Sequence, residues 1–145
     1  MDPTPLKAAF PFIVIDEKGP RLTALRCSAC GATYAEAARL ACARCGADAG
    51  ALVAFQPSST GKLHAASIVH RGYPGVAVPF ISAVVDLDDG PTLKGTLRAA
   101  TFEPHEIEHG RRVVVVFAEA LGRTDAQGDS YISHFFEPAP EEAAT

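Results

Sequence analysis

The sequence lacks the excess of basic residues that general nucleic-acid-binding proteins use to neutralise phosphates. Thirteen Lys and Arg stand against seventeen Asp and Glu, which gives a net charge of −4. It also lacks exposed aromatic pairs at the spacing that would stack successive bases. A nucleic-acid-binding function is therefore an alternative that the composition disfavours, and we expect no nucleic-acid partner.

The sequence also shows no pattern typical of a secretory leader or of a membrane-spanning segment. The N-terminus has no charged region followed by an apolar one, and no apolar run approaches the length of a membrane span. These absences predict a cytoplasmic protein with no membrane partner.

Familiar catalytic motifs are absent as well, since the chain contains no GxSxG elbow and no HExxH helix. His105 and His109 are four residues apart and could align on one helical face as metal ligands of a stand-alone metalloenzyme. A solvent-exposed turn is the simpler interpretation, because Pro104 interrupts a helix just before them. We therefore expect no catalytic residue in this chain.

Two Cys-x-x-Cys pairs, at 27–30 and 42–45, contain all four cysteines and are separated by eleven residues. Two thiolates from each tight turn can converge on one point, which suits the tetrahedral ligand set of a structural zinc ion. Gly31 and Gly46 follow the pairs directly, and glycine can take the positive φ that wraps such a turn around sulfur. The predicted zinc ligands are Cys27, Cys30, Cys42 and Cys45.

Two other uses of the cysteines remain as alternatives. Two disulfides would need an oxidising compartment, which nothing else in the sequence indicates. A redox-active pair does not require a doubled motif with matched glycines, whereas metal binding does. The zinc ribbon is therefore the favoured interpretation.

The order of β-rich runs and turns predicts the organisation of the chain. A run at 10–15 and a returning strand at 21–26 predict a hairpin that leads into the first cysteine pair. Residues 33–40 suggest the end of a strand followed by a helical turn, and 56–61 form the most linker-like stretch. The predicted divisions are a hairpin and zinc ribbon at 1–55, an OB-fold barrel at 56–138 and a disordered tail at 139–145.

Five β segments, each bounded by turn signals, follow the linker. The apolar run at 113–117 has no polar face, as expected for a strand in a closed barrel. The predicted fold is mostly β, with an N-terminal ribbon followed by a five-stranded OB-fold barrel. The predicted strands are 62–70, 78–87, 92–100, 112–120 and 130–136.

Short motifs follow one another in a fixed order between 25 and 138. They are Leu25-Arg26-Cys27-Ser28-Ala29-Cys30-Gly31, Cys42-Ala43-Arg44-Cys45-Gly46, Gly61-Lys62-Leu63, Ser67-Ile68-Val69, Pro79-Phe80, 84–87 with Gly90, Gly110 with Val113, and Phe135-Phe136-Glu137-Pro138. This ordered set resembles the family of acyl-CoA-associated zinc-ribbon/OB-fold proteins, whose ribbon is rubredoxin-like. One departure is Ala43, which stands where that family usually has a proline. The alternative with the same two modules, a nucleic-acid-binding zinc-ribbon/OB protein, is disfavoured by the acidic charge balance.

This resemblance implies a non-catalytic companion of a thiolase-superfamily enzyme. The chain would then form a hetero-oligomer with the catalytic subunit of an acyl-CoA acyltransferase, with structural Zn²⁺ in the ribbon and a coenzyme A thioester as the ligand of the complex. Its length and its β-type N-terminus further suggest similarity to the small subunit of a thiolase for an aromatic acyl-CoA, such as the benzoylsuccinyl-CoA thiolase of anaerobic toluene degradation.

If the barrel meets CoA, the phosphates need cations and the pantetheine arm needs an apolar trough. The residues expected to face CoA are Lys62, Arg71, Tyr73 and Phe80, and the loop at 71–79 is the expected functional surface. The alternative is that the charges only aid solubility and the aromatic rings belong to the core or to a partner contact.

Overall fold

The chain folds almost entirely into β-strands. The computed structural model describes residues 7–75, 77–98, 102–103, 107–124, 128 and 130–139. The strands are β1 (Lys7–Ala8), β2 (Ile13–Asp16), β3 (Gly19–Leu22), β4 (Ala24–Cys27), β5 (Thr33–Tyr34), β6 (Leu52–Phe55), β7 (Thr60–Val69), β8 (Phe80–Leu87), β9 (Thr92–Leu97), β10 (Arg112–Thr124) and β11 (Ser130–Pro138). A short 3-10 helix, Ala49–Ala51, precedes β6.

Five of these strands form the predicted barrel. Their order is β11-β10-β7-β8-β9, and β9 pairs back with β11 through Thr96↔Phe135 and Leu97↔Phe136, which closes the sheet. β1 pairs in parallel with the beginning of β11, with Lys7 opposite Tyr131. The mostly β fold and the closed five-stranded barrel are therefore confirmed, with the five strands near their predicted positions.

Alternation along β8 shows how the barrel is filled. Ile81, Ala83, Val85 and Leu87 are buried, whereas Ser82 between them is exposed, because successive side chains of a strand point to opposite faces. The core also contains Leu63, Leu93, Leu97, Val113, Val115, Phe135 and Phe136. In the run at 113–117, Val113 and Val115 are buried and the other three residues are half-buried, so neither face is open to solvent.

Gly61 on β7 lies against β8 with no room for a side chain. A Cβ at this position would lie 2.5 Å from the Asp86 carbonyl oxygen and 2.9 Å from Val85 Cγ1. Only glycine fits there without a shift of the backbone of β8.

The N-terminal part contains a hairpin and a small sheet. β2 and β3 pair from Ile13↔Leu22 to Asp16↔Gly19, and β4 is the central strand of a sheet with the order β5-β4-β6. The hairpin is as predicted, but Thr23 separates its returning strand from β4. The helical turn expected within 33–40 is wrong: β5 ends at Tyr34 and bends follow, because the segment must span the short distance between two cysteine turns.

Contacts divide the chain into two compact units, neither of which is continuous in sequence. One consists of Met1–Pro57, Asp89–Pro91 and Phe117–Ser133, and the other of Ser58–Asp88, Thr92–Val116 and His134–Thr145. The division at 55/56 stays a prediction. Residues 140–145 of the predicted tail lie outside the described residues. Within the described part of the chain, no helix is long and apolar enough to cross a membrane.

Candidate metal centre and barrel surface

Two matching turns bring the cysteines together. In the first, Gly31 N–H donates to the Cys27 carbonyl at 2.8 Å, and in the second Gly46 N–H donates to the Cys42 carbonyl at 2.9 Å. The glycines have φ angles of 81° and 80°. The positive φ predicted at both positions is therefore confirmed.

The four sulfur atoms form a compact cluster, all within 4.8 Å of one another. Cys27 Sγ lies 3.6 Å from Cys45 Sγ, and Cys30 Sγ lies 3.6 Å from Cys42 Sγ. A tetrahedral zinc ion with Zn–S distances of about 2.3 Å requires sulfur separations of about 3.8 Å, so these side chains fit one zinc ion. All four cysteines are free, since a disulfide needs about 2.05 Å. The cluster is consistent with the predicted zinc ribbon.

A tyrosine supports one ligand of this cluster. Tyr34 Oη lies 3.3 Å from Cys42 Sγ and accepts the Ala43 backbone N–H at 3.0 Å. The pKa of the Cys42 thiol is lowered to about 6, because this hydroxyl and then the backbone N–H groups of Cys45 and Arg44 favour the thiolate. No pattern in the sequence indicated this role of Tyr34, because it depends on how the second turn folds back beside β5.

A separate polar cluster lies on the barrel around two histidines. His64 Nδ1 lies 2.9 Å from Asp86 Oδ2, Thr92 donates its hydroxyl to Asp86 Oδ1 at 2.8 Å, and His109 Nδ1 lies 2.9 Å from the His64 carbonyl oxygen. Burial alone would raise the pKa of Asp86, but hydrogen bonds from Thr92 and His64 outweigh burial and lower it. The two imidazole rings are 5.9 Å apart.

This arrangement bears on the predicted metal pair of His105 and His109. His105 lies outside the described residues, and His109 is next to His64 instead. Within the described residues, the four cysteines are the only group of three or more side chains placed to hold a metal ion. The stand-alone metalloenzyme therefore gains no support from the part of the chain that the structure describes.

The four residues expected to face CoA occupy two places on the barrel. Lys62 on β7 lies opposite Asp86 on β8. Together with His109 it lines a cleft of about 270 Å³. Arg71 and Tyr73 are exposed in the loop after β7, and Tyr73 is 86% exposed. Phe80 is half-buried at the start of β8, opposite Val69.

The two places lie at opposite ends of β7. Val69 lies seven positions after Lys62, which corresponds to about 23 Å along an extended strand. Arg71, Tyr73 and Phe80 therefore share one end of the strand, and Lys62 lies at the other. Contact of these residues with CoA stays a prediction.

Comparisons with known proteins agree with this architecture. Residues 56–118 match the family model of the C-terminal OB-fold domain of ChsH2. Among solved structures, the chain is similar to the "Ltp2-ChsH2(DUF35) aldolase", with 26% identity over 81% of this chain and 84% of that chain, and a TM-score of 0.61. No curated protein sequence matches. The resemblance to acyl-CoA-associated OB-fold proteins is thereby confirmed.

Proposed function

Starting from a barrel that matches the C-terminal OB-fold domain of ChsH2, we propose that this chain is a non-catalytic accessory subunit of an acyl-CoA enzyme. The observation that carries the proposal is the match over 56–118, which the similarity of fold extends to 81% of the chain. The similar solved structure is an aldolase whose name joins ChsH2 to Ltp2, which supports a partner enzyme.

The catalytic partner in this proposal is a thiolase-superfamily subunit. Such an enzyme supplies its own nucleophile and bases, so the accessory chain needs none. The four thiols of this chain form one cluster, and committing them to a metal leaves no cysteine to act as a nucleophile. The narrower form of the proposal is the small subunit of a thiolase for an aromatic acyl-CoA, such as benzoylsuccinyl-CoA thiolase.

Zinc has a structural role in this proposal. Cys27 and Cys42 are buried, whereas Cys45 is exposed, and the sheet around β4 is only three short strands wide. Binding of Zn²⁺ to four thiolates supplies folding free energy on the order of 10 kcal/mol. Zinc–thiolate bonds suit a reducing compartment, so we place the complex in the cytoplasm.

The loop at 71–79 is the proposed contact with the acyl-CoA site of the complex. Tyr73 is 86% exposed and Val78 is 44% exposed, so the loop offers an aromatic ring and an aliphatic side chain to a partner or ligand. Arg71 on the same loop supplies a cation for a phosphate, and Phe80 lies where the loop rejoins the barrel. Lys62 lies at the other end of β7, so it would have to contact a different part of the ligand.

Purification of the complex from the native host tests this function directly. The chain carries an affinity tag, the co-purifying proteins are identified by mass spectrometry, and zinc is measured in the same sample. We expect a thiolase-superfamily subunit at stoichiometric yield and one zinc per tagged chain. Recovery of the tagged chain alone, or with nucleic acid, would overturn the proposal. A matched preparation with Cys27→Ser tests whether the ribbon is needed for the complex.

A further inference from the structure

The Tyr34 hydroxyl lies between two groups of the second cysteine turn. Its oxygen accepts the Ala43 backbone N–H at 3.0 Å, and Cys42 Sγ lies 3.3 Å away. A thiolate can only accept a hydrogen bond. The hydroxyl therefore donates a hydrogen bond to Cys42 Sγ once this cysteine is a metal ligand.

The ring that carries this hydroxyl is held in place by an arginine. The guanidinium carbon of Arg39 lies 4.1 Å from the centroid of the Tyr34 ring. Arg39 itself is anchored by Glu36 at 2.6 Å and by the Ala41 carbonyl at 3.3 Å. A cation over the ring face stabilises this arrangement and leaves the hydroxyl directed at the sulfur.

Cys42 is the one cysteine of the four that a side-chain hydroxyl contacts within the described residues. A hydrogen bond from the second shell orients a metal ligand and tunes its electron density. Because the bond is made to one sulfur only, its effect on the four ligands is unequal.

We propose that Tyr34 is a positioning residue of the metal centre, which makes the Cys42 thiolate a less reactive and more firmly held ligand than its three neighbours, and that Arg39 holds Tyr34 in place. The inference rests on metal binding by the four cysteines, which is part of the proposed function. It does not depend on the identity of the partner enzyme.

Tyr34→Phe tests the hydroxyl alone, because it removes that group and retains the ring that stacks on Arg39. Tyr131→Phe, which removes a hydroxyl from β11, is the matched control. Both variants are prepared with cobalt in place of zinc. Because Tyr34→Phe loses a hydrogen bond to sulfur, its sulfur-to-cobalt charge-transfer band should move to longer wavelength. The band of Tyr131→Phe should not move. Transfer of zinc to a chelator should be roughly 10-fold faster in Tyr34→Phe, the size of effect expected for a lost second-shell partner.

Alkylation of the zinc-loaded protein separates a specific effect from general loosening. N-ethylmaleimide is added in small amounts, and the first modified cysteine is identified by mass spectrometry. The share of Cys42 relative to the exposed Cys45 should rise in Tyr34→Phe. An equal rise at all four cysteines would mean that the substitution only loosens the ribbon, and would overturn the inference.

A second variant keeps the test decisive if Tyr34→Phe does not fold. Arg39→Lys preserves the charge and the hydroxyl but removes the planar group above the ring, so it should shift the same band and the same alkylation ratio by a smaller amount. An unchanged band and an unchanged ratio in the folded variants would overturn the role of Tyr34. Failure of the wild-type chain to bind cobalt or zinc would instead overturn the metal centre in the proposed function.

Discussion

Arg112 holds Asp88 through both ends of its guanidinium group: Nη1 lies 2.6 Å from Oδ1 and Nη2 lies 2.8 Å from Oδ2. Thr60 adds its hydroxyl to the same carboxylate, and the Asp88 backbone N–H donates to the Thr60 carbonyl at 3.0 Å. These contacts join the start of β7, the end of β8 and the start of β10. A paired carboxylate therefore fastens three barrel strands at one point.

The first prediction follows from this ion pair. The pKa of Asp88 is lowered to about 2 by Arg112 and then by Thr60, so its contribution to stability is present above its ordinary pKa of 3.8 and is lost as the pH falls from there towards about 2. Because both side chains are more than a third exposed, we expect Asp88→Asn to cost at most about 1 kcal/mol at pH 7.

Urea unfolding of wild type and Asp88→Asn at pH 7, 4 and 2 measures this contribution, with Glu119→Gln as a variant of an exposed carboxylate. The difference between wild type and Asp88→Asn should shrink as the pH falls. A difference that is constant over this range would contradict the assignment.

Metal removal should unfold the ribbon. We expect a strong chelator to remove one zinc per chain and to collapse the amide NMR signals of 27–46 towards unfolded positions, because the metal supplies most of the folding free energy of this part. Cys27→Ser and Cys42→Ser should give the same spectrum without a chelator. If the signals of 27–46 stayed at their folded positions with no bound metal, the packing of the apolar residues would be sufficient to fold this part, and the prediction would be wrong.

His134 should make stability sensitive to mild acid. Its side chain is 3% exposed, and Nε2 lies 2.5 Å from the Lys94 carbonyl oxygen. Burial lowers the pKa of His134 below 6.5, whereas the hydrogen bond to Lys94 acts in the opposite direction. The neutral ring is therefore favoured in the fold, and the free energy of unfolding should fall as the pH drops below about 6.5.

NMR titration of the imidazole and urea unfolding between pH 7.5 and 5 test this expectation. His134→Gln should remove part of the pH dependence, whereas His70→Gln, at an exposed position, should leave it intact. A native-state pKa above 6.5 for His134 would be incompatible with a buried neutral ring.

Two glycines of the barrel should differ in their tolerance of a methyl group. At Gly95, a Cβ would meet the side chains of His134 and Phe136 at 2.9 and 3.0 Å, whereas at Gly61 it would meet the backbone of β8 at 2.5 Å. Side chains can move more easily than a paired strand. We expect about 1–3 kcal/mol of destabilisation for Gly95→Ala and a larger loss for Gly61→Ala, measured by chemical denaturation, and the reverse order would contradict this geometry.

Tyr73→Ala tests the loop at 71–79. If the loop contacts the acyl-CoA site, the purified complex should bind acyl-CoA about 10-fold more weakly or turn over more slowly, while the thermal stability of the isolated chain should be unchanged because Tyr73 is 86% exposed. Lys62→Ala examines the other end of β7 in the same assay. Unchanged affinity and turnover in Tyr73→Ala would remove this loop from the proposed site.

The cysteine turns could be predicted because their determinants are local. Cys-x-x-Cys spacing and a following glycine define each turn within five residues, and the structure has Gly31 and Gly46 at the required φ. The barrel strands were predictable for a similar reason, since turn residues and apolar runs mark their ends. The helical turn at 33–40 was wrong because the distance between the cysteine turns outweighs the helix propensity of alanine.

Contacts between distant positions could not be predicted in this way. Tyr34 approaches Cys42 only when the two turns have folded, and His64 meets His109 only through the register of β7 against β10. Neither pair has a spacing that a periodicity would reveal. The sequence instead suggested His105 as the companion of His109, because four residues is the spacing of one helical face.

The pairing of β9 with β11 sets an order on folding during synthesis. The sheet of β4, β5 and β6 needs only residues 24–55, so this sheet and the four-cysteine cluster can form soon after Phe55 leaves the ribosome. Barrel closure requires Phe135 and Phe136 opposite Thr96 and Leu97, and β11 is synthesised last of the strands. Until it emerges, β9 keeps an unpaired edge, and a chaperone would meet a completed sheet of β4, β5 and β6 together with a barrel sheet that is still open.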